Sequence, residues 1–392
     1  MRPRIMTVYG TRPEAIKVAP VIKALEESAE FDSVTVVTGQ HREMLDQVNE
    51  LFGIVPDHDL NIMSHGQSLA QIFARVIEGL DPILEKEEPA AVIVQGDTST
   101  STAAALAAFY RQIPVVHLEA GLRSGNILSP FPEEANRKIT TQIASLPLAP
   151  TETSRANLLA EGVDDATIVV TGNTVIDALL TTVGKEVPFT DPRLEALAAS
   201  GRRILLVTTH RRENWGGAME VMQVRPARDD SWEGVLRGTG IARGMLDWRS
   251  HPDPELRSAV AQPLLERAID GGENVTVPEP LPYGEFARMM ALSTLILSDS
   301  GGVQEEAPSL GKPVLVMREN TERPEAVEAG AVKLVGTDEG HIVSQVTRLL
   351  TDERLYSEMS EATNAYGDGT AARQTAAALE RLLVRREASD GN

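Results

Sequence analysis

The sequence predicts an α/β protein made of two Rossmann-like, doubly wound domains. Three observations carry this reading. The chain has 392 residues, and at about 100–200 residues per domain that length suggests two. Short β-rich runs alternate with helical patterns over residues 1–180, and the alternation resumes after an interruption. The apolar character of the β-rich runs is continuous rather than alternating, as parallel strands covered on both faces require.

In the first half the expected strands are 5–9, 34–38, 91–95, 115–118, 146–149 and 168–170, with helices over 13–27, 42–52, 69–87, 100–111 and 153–161. Pro13 suits a first helical turn, where its missing N–H costs nothing. A linker is expected at about 181–201, where strand signals stop and Pro188, Asp191 and Pro192 appear. Strands then follow at 204–208, 275–277, 295–298, 314–317 and 332–335, with helices over 283–291, 304–310 and 342–350. The tail, 352–386, reads as two helices. The domains are therefore 1–180 and 181–364, with the helices of about 365–386 packing back on the first. In such a pair, ligands lie in a cleft between the domains, at the carboxyl ends of the strands.

One stretch breaks the rhythm. Residues 217–249, GAMEVMQVRPARDDSWEGVLRGTGIARGMLDWR, scatter Arg and Gly without period. Neither a helix nor a buried strand can be assigned there, so the sequence leaves open whether the second domain has all its core strands. The composition looks like a stretch read in a shifted frame and then restored.

Charge narrows the function classes. The net charge is −20 and the pI about 4.8, a field that repels nucleic acid and anionic membranes. An anionic small substrate would need a local cationic pocket. There are no cysteines, which removes disulfides, thiolate catalysis and thiolate metal sites. The N-terminal apolar run is too short for a signal-peptide core, and no stretch approaches the ~20 apolar residues of a membrane span. The expectation is a cytoplasmic protein.

The strand-to-loop junctions carry the chemistry. Gly10-Thr11-Arg12-Pro13-Glu14 follows the first strand; its glycine allows a tight turn, and the following helix would offer free N–H groups to an anion beside Arg12 and Lys17. It reads equally as a plain turn with solvated charges. Asp97, in QGDTSTS, is first of all a helix N-cap in this position. Glu119, in HLEAGLRSG, closes a strand, where a carboxylate is costly unless paired or functional. Glu133 and Glu134 open a helix, which capping of the dipole alone would explain. Three carboxylates from three strand-end loops nevertheless exceed what capping needs, and carboxylates in different environments can divide acid and base roles. His210-Arg211-Arg212 at the head of the second domain is an anion-binding cue. Ser300-Gly301-Gly302 can present N–H groups to a phosphate, Glu306 can accept from ribose hydroxyls, and Arg323 adds a cation. His210 and Glu213 make only a loose His-x-x-Glu pair, and no Asp-x-Asp motif is present. Chemistry without a metal or other cofactor is expected.

Together these segments resemble the non-hydrolysing UDP-N-acetylglucosamine 2-epimerase family. The matching stretches are GTRPEAIKVAP, TGQHREMLDQV, QGDTSTS, HLEAGLRSG, PFPEEANR, PTETSRANLL, TGNTVIDALL, THRRENWG, SDSGGVQEEAPSLGKPVLVMR, TERPEAVEAG and NAYGDG, in order along most of the chain. The resemblance implies a glycosyltransferase-B-like fold, a homodimer, no metal, and UDP-GlcNAc and UDP-ManNAc as ligands. It implies anti-elimination of UDP to 2-acetamidoglucal and re-addition of UDP. By motif match Asp97, Glu119 and Glu133 are acid/base candidates, and His210 would stabilise the leaving diphosphate. Arg12, Lys17, Arg137 and Arg323 would line the pocket. Ser300, Gly301 and Gly302 would hold phosphate, Glu306 the ribose and Tyr283 the uracil end. Gln40, His41, Arg42 and Gln67 would belong to a regulatory UDP-GlcNAc site. The departure is at 217–249, where the family has a helix, a hydrophobic strand and a His-x-Asn-Pro turn; this chain has Ser250-His251-Pro252-Asp253-Pro254.

Three rival readings remain: a hydrolysing epimerase releasing UDP and ManNAc, a glycosyltransferase of the same fold, and an inactive UDP-sugar binder. The density of matches around Asp97, Glu119 and Glu133 argues against the transferase. Retention of the nucleotide in the product separates the first rival, and hydrogen exchange at C2 the last.

Overall fold

The computed structural model describes residues 2–39, 42–62, 66–208, 232–237, 275–276 and 278–390, with backbone alone at 42–43, 232–237, 275, 339 and 387–390. The chain divides into two compact units: Met1–Ala178 with Tyr366–Asn392, and Leu179–Ala365.

Unit 1 is a seven-stranded parallel sheet with strand order β3-β2-β1-β4-β5-β6-β7. Its strands are β1 (Arg4–Tyr9), β2 (Asp32–Val37), β3 (His58–Asp59), β4 (Ala91–Gln95), β5 (Val115–Leu118), β6 (Leu146–Ala149) and β7 (Val169–Val170). Its helices are α1 (Arg12–Glu27), α2 (Arg42–Phe52), α3 (Leu69–Glu87), α4 (Ser99–Tyr110), α5 (Glu133–Ile143), α6 (Glu152–Ala160) and α7 (Thr174–Val183), the last running past the unit's boundary. The strand order reverses between β1 and β4, so the loops after these two strands diverge there and leave the crevice typical of doubly wound sheets.

The core follows from residue size. Helix α4 is rich in alanine, and Ala103, Ala104, Ala105, Ala107 and Ala108 are all buried. Small side chains let it sit between α3 and α5 against the sheet, where Val92 and Val94 of β4 and Val76 and Leu80 of α3 complete the packing.

Unit 2 repeats the plan with a six-stranded parallel sheet, order β10-β9-β8-β11-β12-β13. The strands are β8 (Arg203–Thr208), β9 (Trp232–Arg237), β10 (Val275–Thr276), β11 (Leu295–Ser298), β12 (Val314–Val316) and β13 (Val332–Leu334). Its helices are α8 (Pro192–Ala199), α9 (Tyr283–Leu292), α10 (Gly301–Glu306), α11 (Pro324–Glu328), α12 (Glu339–Thr351) and α13 (Glu353–Ser360). The reversal point lies between β8 and β11, and Leu205, Val207, Leu295, Leu297 and Leu315 form the core around it. The chain then re-enters unit 1, where α14 (Ala371–Asp390) packs on α1. Among the described residues no helix is long and apolar enough to cross a membrane.

Two sequence expectations are corrected. The interval 181–201 is not a bare linker: it contains the end of α7 and all of α8. Asp191 caps α8 by accepting the Arg193 N–H at 2.9 Å, Pro192 takes the first turn, and Leu194 and Leu197 are buried. Asp-Pro here is a helix start, a pattern as legible as a linker signal. Within 217–249, where no strand could be assigned, the backbone of β9 pairs with β8 from Arg203↔Trp232 to Thr208↔Arg237. The rest of that stretch lies outside the described residues, as does Ser250-His251-Pro252-Asp253-Pro254.

Gly121, just after β5, shows how closely the unit 1 loops approach one another. Its φ is +92°, and an added Cβ would lie 2.2 Å from the Ser154 carbonyl oxygen. Backbone cannot give way as a side-chain end can. Gly121→Ala is expected to destabilise unit 1 by about 2–4 kcal/mol, read as a lower urea midpoint in equilibrium unfolding.

Candidate active site

The carboxyl ends of β1, β4 and β5 present most of the candidate residues of unit 1. The β1 turn is organised from within. Thr11 and Glu14 form a capping box at the start of α1. The Glu14 carboxylate is buried and accepts the N–H groups of Gly10 and Thr11 at 2.8 and 2.7 Å and the Thr98 hydroxyl at 2.5 Å. Burial holds its carboxyl above the usual range despite those donors. The N–H groups of Gly10 and Thr11, in the turn just before α1, are thereby taken up by Glu14. Gly10 itself is tightly enclosed: a Cβ would lie 2.0 Å from Thr38 Oγ1 and 3.2 Å from the Thr100 side chain, so a larger residue would force those side chains to shift.

Glu119 stands at the end of β5 in the left-handed region, with φ +62°. That conformation is costly for a residue with a side chain and is held by its surroundings. Lys17 Nζ, from α1, lies 2.5 and 2.6 Å from the two Glu119 oxygens. Gln95 Nε2, at the end of β4, donates to Oε2, and Asn173 Nδ2 donates to Oε1 at 3.3 Å. The carboxylate is thus gripped from three elements.

Asp97 follows β4 and does not cap α4, as its position alone suggested. Thr98 does, accepting the Ser101 N–H at 3.0 Å. Asp97 instead meets Arg137 of α5, with Nε and Nη2 at 2.8 and 2.5 Å from Oδ2. Arg137 Nη1 also reaches Glu134 at 3.0 Å. Glu134 is fully buried and accepts the N–H groups of Ser124 and Gly125 at 3.1 and 3.3 Å. Burial pushes its carboxyl up, but these bonds and Arg137 outweigh it and hold the group below the usual range. Asn136 Nδ2 adds a bond to the Asp97 carbonyl at 2.8 Å.

Glu133, the first residue of α5, closes the same β5–α5 connection that Glu119 opens, so the three acids come from two strand-end loops rather than the three expected, and it differs from Asp97 and Glu119. Its Oε2 is buried with no hydrogen-bond partner among the described residues. The three carboxylates therefore occupy three environments: Lys17-bound, Arg137-bound, and one with an unsatisfied buried oxygen.

In unit 2, Ser300, Gly301 and Gly302 lie between β11 and the first turn of α10. Arg323 Nε lies 2.5 Å from Glu305 Oε1, and its guanidinium covers Gly301 so closely that a Cβ there would be 2.6 Å from Nη1. The Tyr283 hydroxyl donates to Glu306 Oε1 at 3.3 Å. Desolvation by burial, reinforced by the Glu306 charge, holds that phenol protonated well above its ordinary range. Arg12 lies in the first turn of α1. Of the regulatory set, Gln67 accepts from Arg75 at 2.9 Å and Arg42 opens α2; Gln40, His41 and the Arg42 side chain lie outside the described residues. His210 does too, with Arg211 and Arg212. No cluster of three or more His, Asp or Glu suited to a metal occurs among the described residues.

Sequence reading missed the supporting residues. Glu14 was readable from Thr-x-x-Glu spacing. Gln95, Asn136 and Asn173 sit inside quoted motifs, but only the fold brings them to their carboxylates. His117 is a further case. It is buried, with Nε2 2.7 Å from the Gly96 carbonyl oxygen, and it thereby braces the loop that carries Asp97. Burial pushes its pKa from 6.5 to about 4.

The comparisons with known proteins agree with one another. The sequence pattern of the UDP-N-acetylglucosamine 2-epimerase family matches residues 23–380. The chain is 50% identical over 383 residues to the UDP-N-acetylglucosamine 2-epimerase of Escherichia coli K12, covering 96% of this chain and 98% of that one. It is 47% identical over 381 residues to the Bacillus subtilis protein of the same name, covering 97% and 95%. Among solved structures, a putative UDP-N-acetylglucosamine 2-epimerase from Listeria monocytogenes matches with a TM-score of 0.85 and 44% identity, over 97% of this chain and 96% of that one. The Neisseria meningitidis UDP-GlcNAc 2-epimerase bound to UDP-GlcNAc matches with a TM-score of 0.80 and 42% identity, over 96% and 100%.

The His117 site predicts a pH effect. Between about pH 6.5 and 4 the unfolded chain takes up a proton that folded His117 refuses, so stability falls as pH falls through that window. Its contribution to unfolding free energy should drop by about 2 kcal/mol from pH 7 to pH 5. In His117→Gln that part of the loss should vanish, as measured by urea unfolding at the two pH values. Family pattern, full-length relatives and matching folds converge: this chain belongs to the UDP-N-acetylglucosamine 2-epimerase family.

Proposed function

We propose that this protein is a non-hydrolysing UDP-N-acetylglucosamine 2-epimerase that interconverts UDP-GlcNAc and UDP-ManNAc. The reading rests above all on one arrangement within this family's fold. Asp97 and Glu119 end adjacent strands with Arg137 and Lys17 in contact, and Glu133 stands at the start of α5 with an unsatisfied oxygen. Epimerisation at C2 needs a base on one face of the sugar and an acid on the other, and three carboxylates in separate environments supply those types.

The reaction balances without an external reagent. A carboxylate takes the C2 proton, the C1–O bond breaks, and UDP departs from the opposite face to leave 2-acetamidoglucal. UDP then re-adds at C1 while C2 receives a proton from the other face. The departing diphosphate needs cations and N–H donors placed in advance. Arg12, Lys17, Arg137 and Arg323 are the assigned cations, with His210 beside the leaving group. Ser300, Gly301 and Gly302 take phosphate, Glu306 the ribose, and Tyr283 the uracil end. Lys17, Arg137 and Arg323 are engaged by carboxylates, so each would serve the substrate while orienting an acid.

The same reading makes the protein a cytoplasmic homodimer whose product feeds a surface polysaccharide or a secondary metabolite, with Gln40, His41, Arg42 and Gln67 in a regulatory UDP-GlcNAc site.

Incubation with UDP-GlcNAc in heavy water is expected to place deuterium at C2 of both UDP-GlcNAc and UDP-ManNAc, with the nucleotide retained. Asp97→Asn, Glu119→Gln and Glu133→Gln should each lower kcat by roughly 10²–10⁴-fold. Free ManNAc with UDP would instead identify a hydrolysing enzyme. Binding of UDP-GlcNAc without C2 exchange would identify a binder.

A further inference from the structure

Two family motifs hold none of the acid, base or ligand-binding roles assigned above: TGNTVIDALL at 171–180 and NAYGDG at 364–369. In unit 1 they meet. The chain leaves this unit after Ala178 and returns at Tyr366, and the two passages are bonded side by side. The Asn173 N–H donates to the Tyr366 carbonyl at 2.7 Å. Gly172 and Gly367, with φ of +83° and +115°, stack backbone on backbone. A Cβ on Gly172 would lie 3.0 Å from the Tyr366 oxygen and 3.4 Å from Gly367 Cα. Just beyond, Asp177 accepts the N–H groups of Ala371 and Ala372 at 3.3 and 2.9 Å, closing the start of α14.

Asn173 is 3% exposed, and its side chain is committed at both ends. Oδ1 accepts the Val175 N–H at 3.1 Å, which caps α7. That fixes the amide so that Nδ2 faces Glu119 Oε1 at 3.3 Å. The backbone of Asn173 is thus set by the returning chain, and its side chain sets Glu119 from the side of β7. Lys17 and Gln95 hold the same carboxylate from α1 and β4.

We propose that Asn173 is a positioning residue for Glu119, and that the returning segment 366–371 fixes it in place. The proposal rests on the epimerase reading for its effect on catalysis. Lys17 supplies charge to Glu119, but an ammonium on a flexible stem directs poorly. A capped, buried amide has one orientation and supplies direction. The competing account is that Asn173 is only a helix cap, and the choice of variant separates the two.

Asn173→Ser keeps a capping side chain at the start of α7 and leaves the backbone bond to Tyr366, but cannot reach Glu119. We expect a melting temperature within about 2 °C of wild type, unchanged UDP affinity, kcat for C2 exchange lowered about ten- to a hundred-fold, and KM nearly unchanged. Asn173→Asp keeps the cap and sets a second carboxylate beside the first, so a limb of the pH–rate profile should move to higher pH. Carbon-13 NMR of labelled Glu119 gives a readout independent of turnover: its titration midpoint in Asn173→Ser should rise as a donor to the charged form is lost. A variant with wild-type kcat, an unmoved pH profile and an unmoved Glu119 midpoint overturns the proposal. Absence of C2 exchange in wild type overturns the epimerase reading alone, and the Glu119 midpoint then decides the positioning claim by itself.

Discussion

A carboxylate at the closed end of a buried parallel strand cannot be left to itself. Removing its charge from water without a partner costs several kcal/mol, so the surrounding chain must provide cations, amide donors or a proton. Much of unit 1 is arranged around that constraint. Glu119 has Lys17, Gln95 and Asn173; Asp97 has Arg137, which Glu134 in turn secures; Glu14 draws on the N–H groups of its own capping box and a hydroxyl from the next loop. The partners come from different elements, so each pair also ties one loop to another.

This linkage explains why the strand-end loops can be irregular and still well defined. Glu119 keeps a positive φ because its side chain is anchored on several sides. Gly10 and Gly121 lack side chains because neighbouring atoms already occupy the space. Unit 2 uses the same devices with other residues. Arg323 is drawn over Gly301 by Glu305, and Tyr283 is held against Glu306. In both units the candidate groups are arranged by contacts within the protein, the arrangement that preorganised sites require.

The α/β class and most helices and strands were legible because buried parallel strands write continuous apolar runs and their helices write long amphipathic ones. Several short elements were not. Strand β3 has two residues, too few for any periodic signal. Helix α8 begins with Asp-Pro, which also marks linkers, and its burial of Leu194 and Leu197 decides the case. Strand β9 carries the sequence WEGVLR, whose glycine and charges mask a strand that pairing with β8 reveals.

The same division applies to the site. The sequence by itself determined the family, and it nominated the strand-end acids and cations as candidates, because motifs at loop positions are local strings that carry chemistry in their residue types. It did not determine which cation meets which acid. Lys17 with Glu119 spans 102 positions and Arg137 with Asp97 spans 40, and no periodicity reports a contact at such separations. Nor could it reveal that residues after β7 and the returning chain at Tyr366 bear on Glu119. Only the parallel sheet, which stacks the ends of distant segments side by side, brings those groups within hydrogen-bond reach.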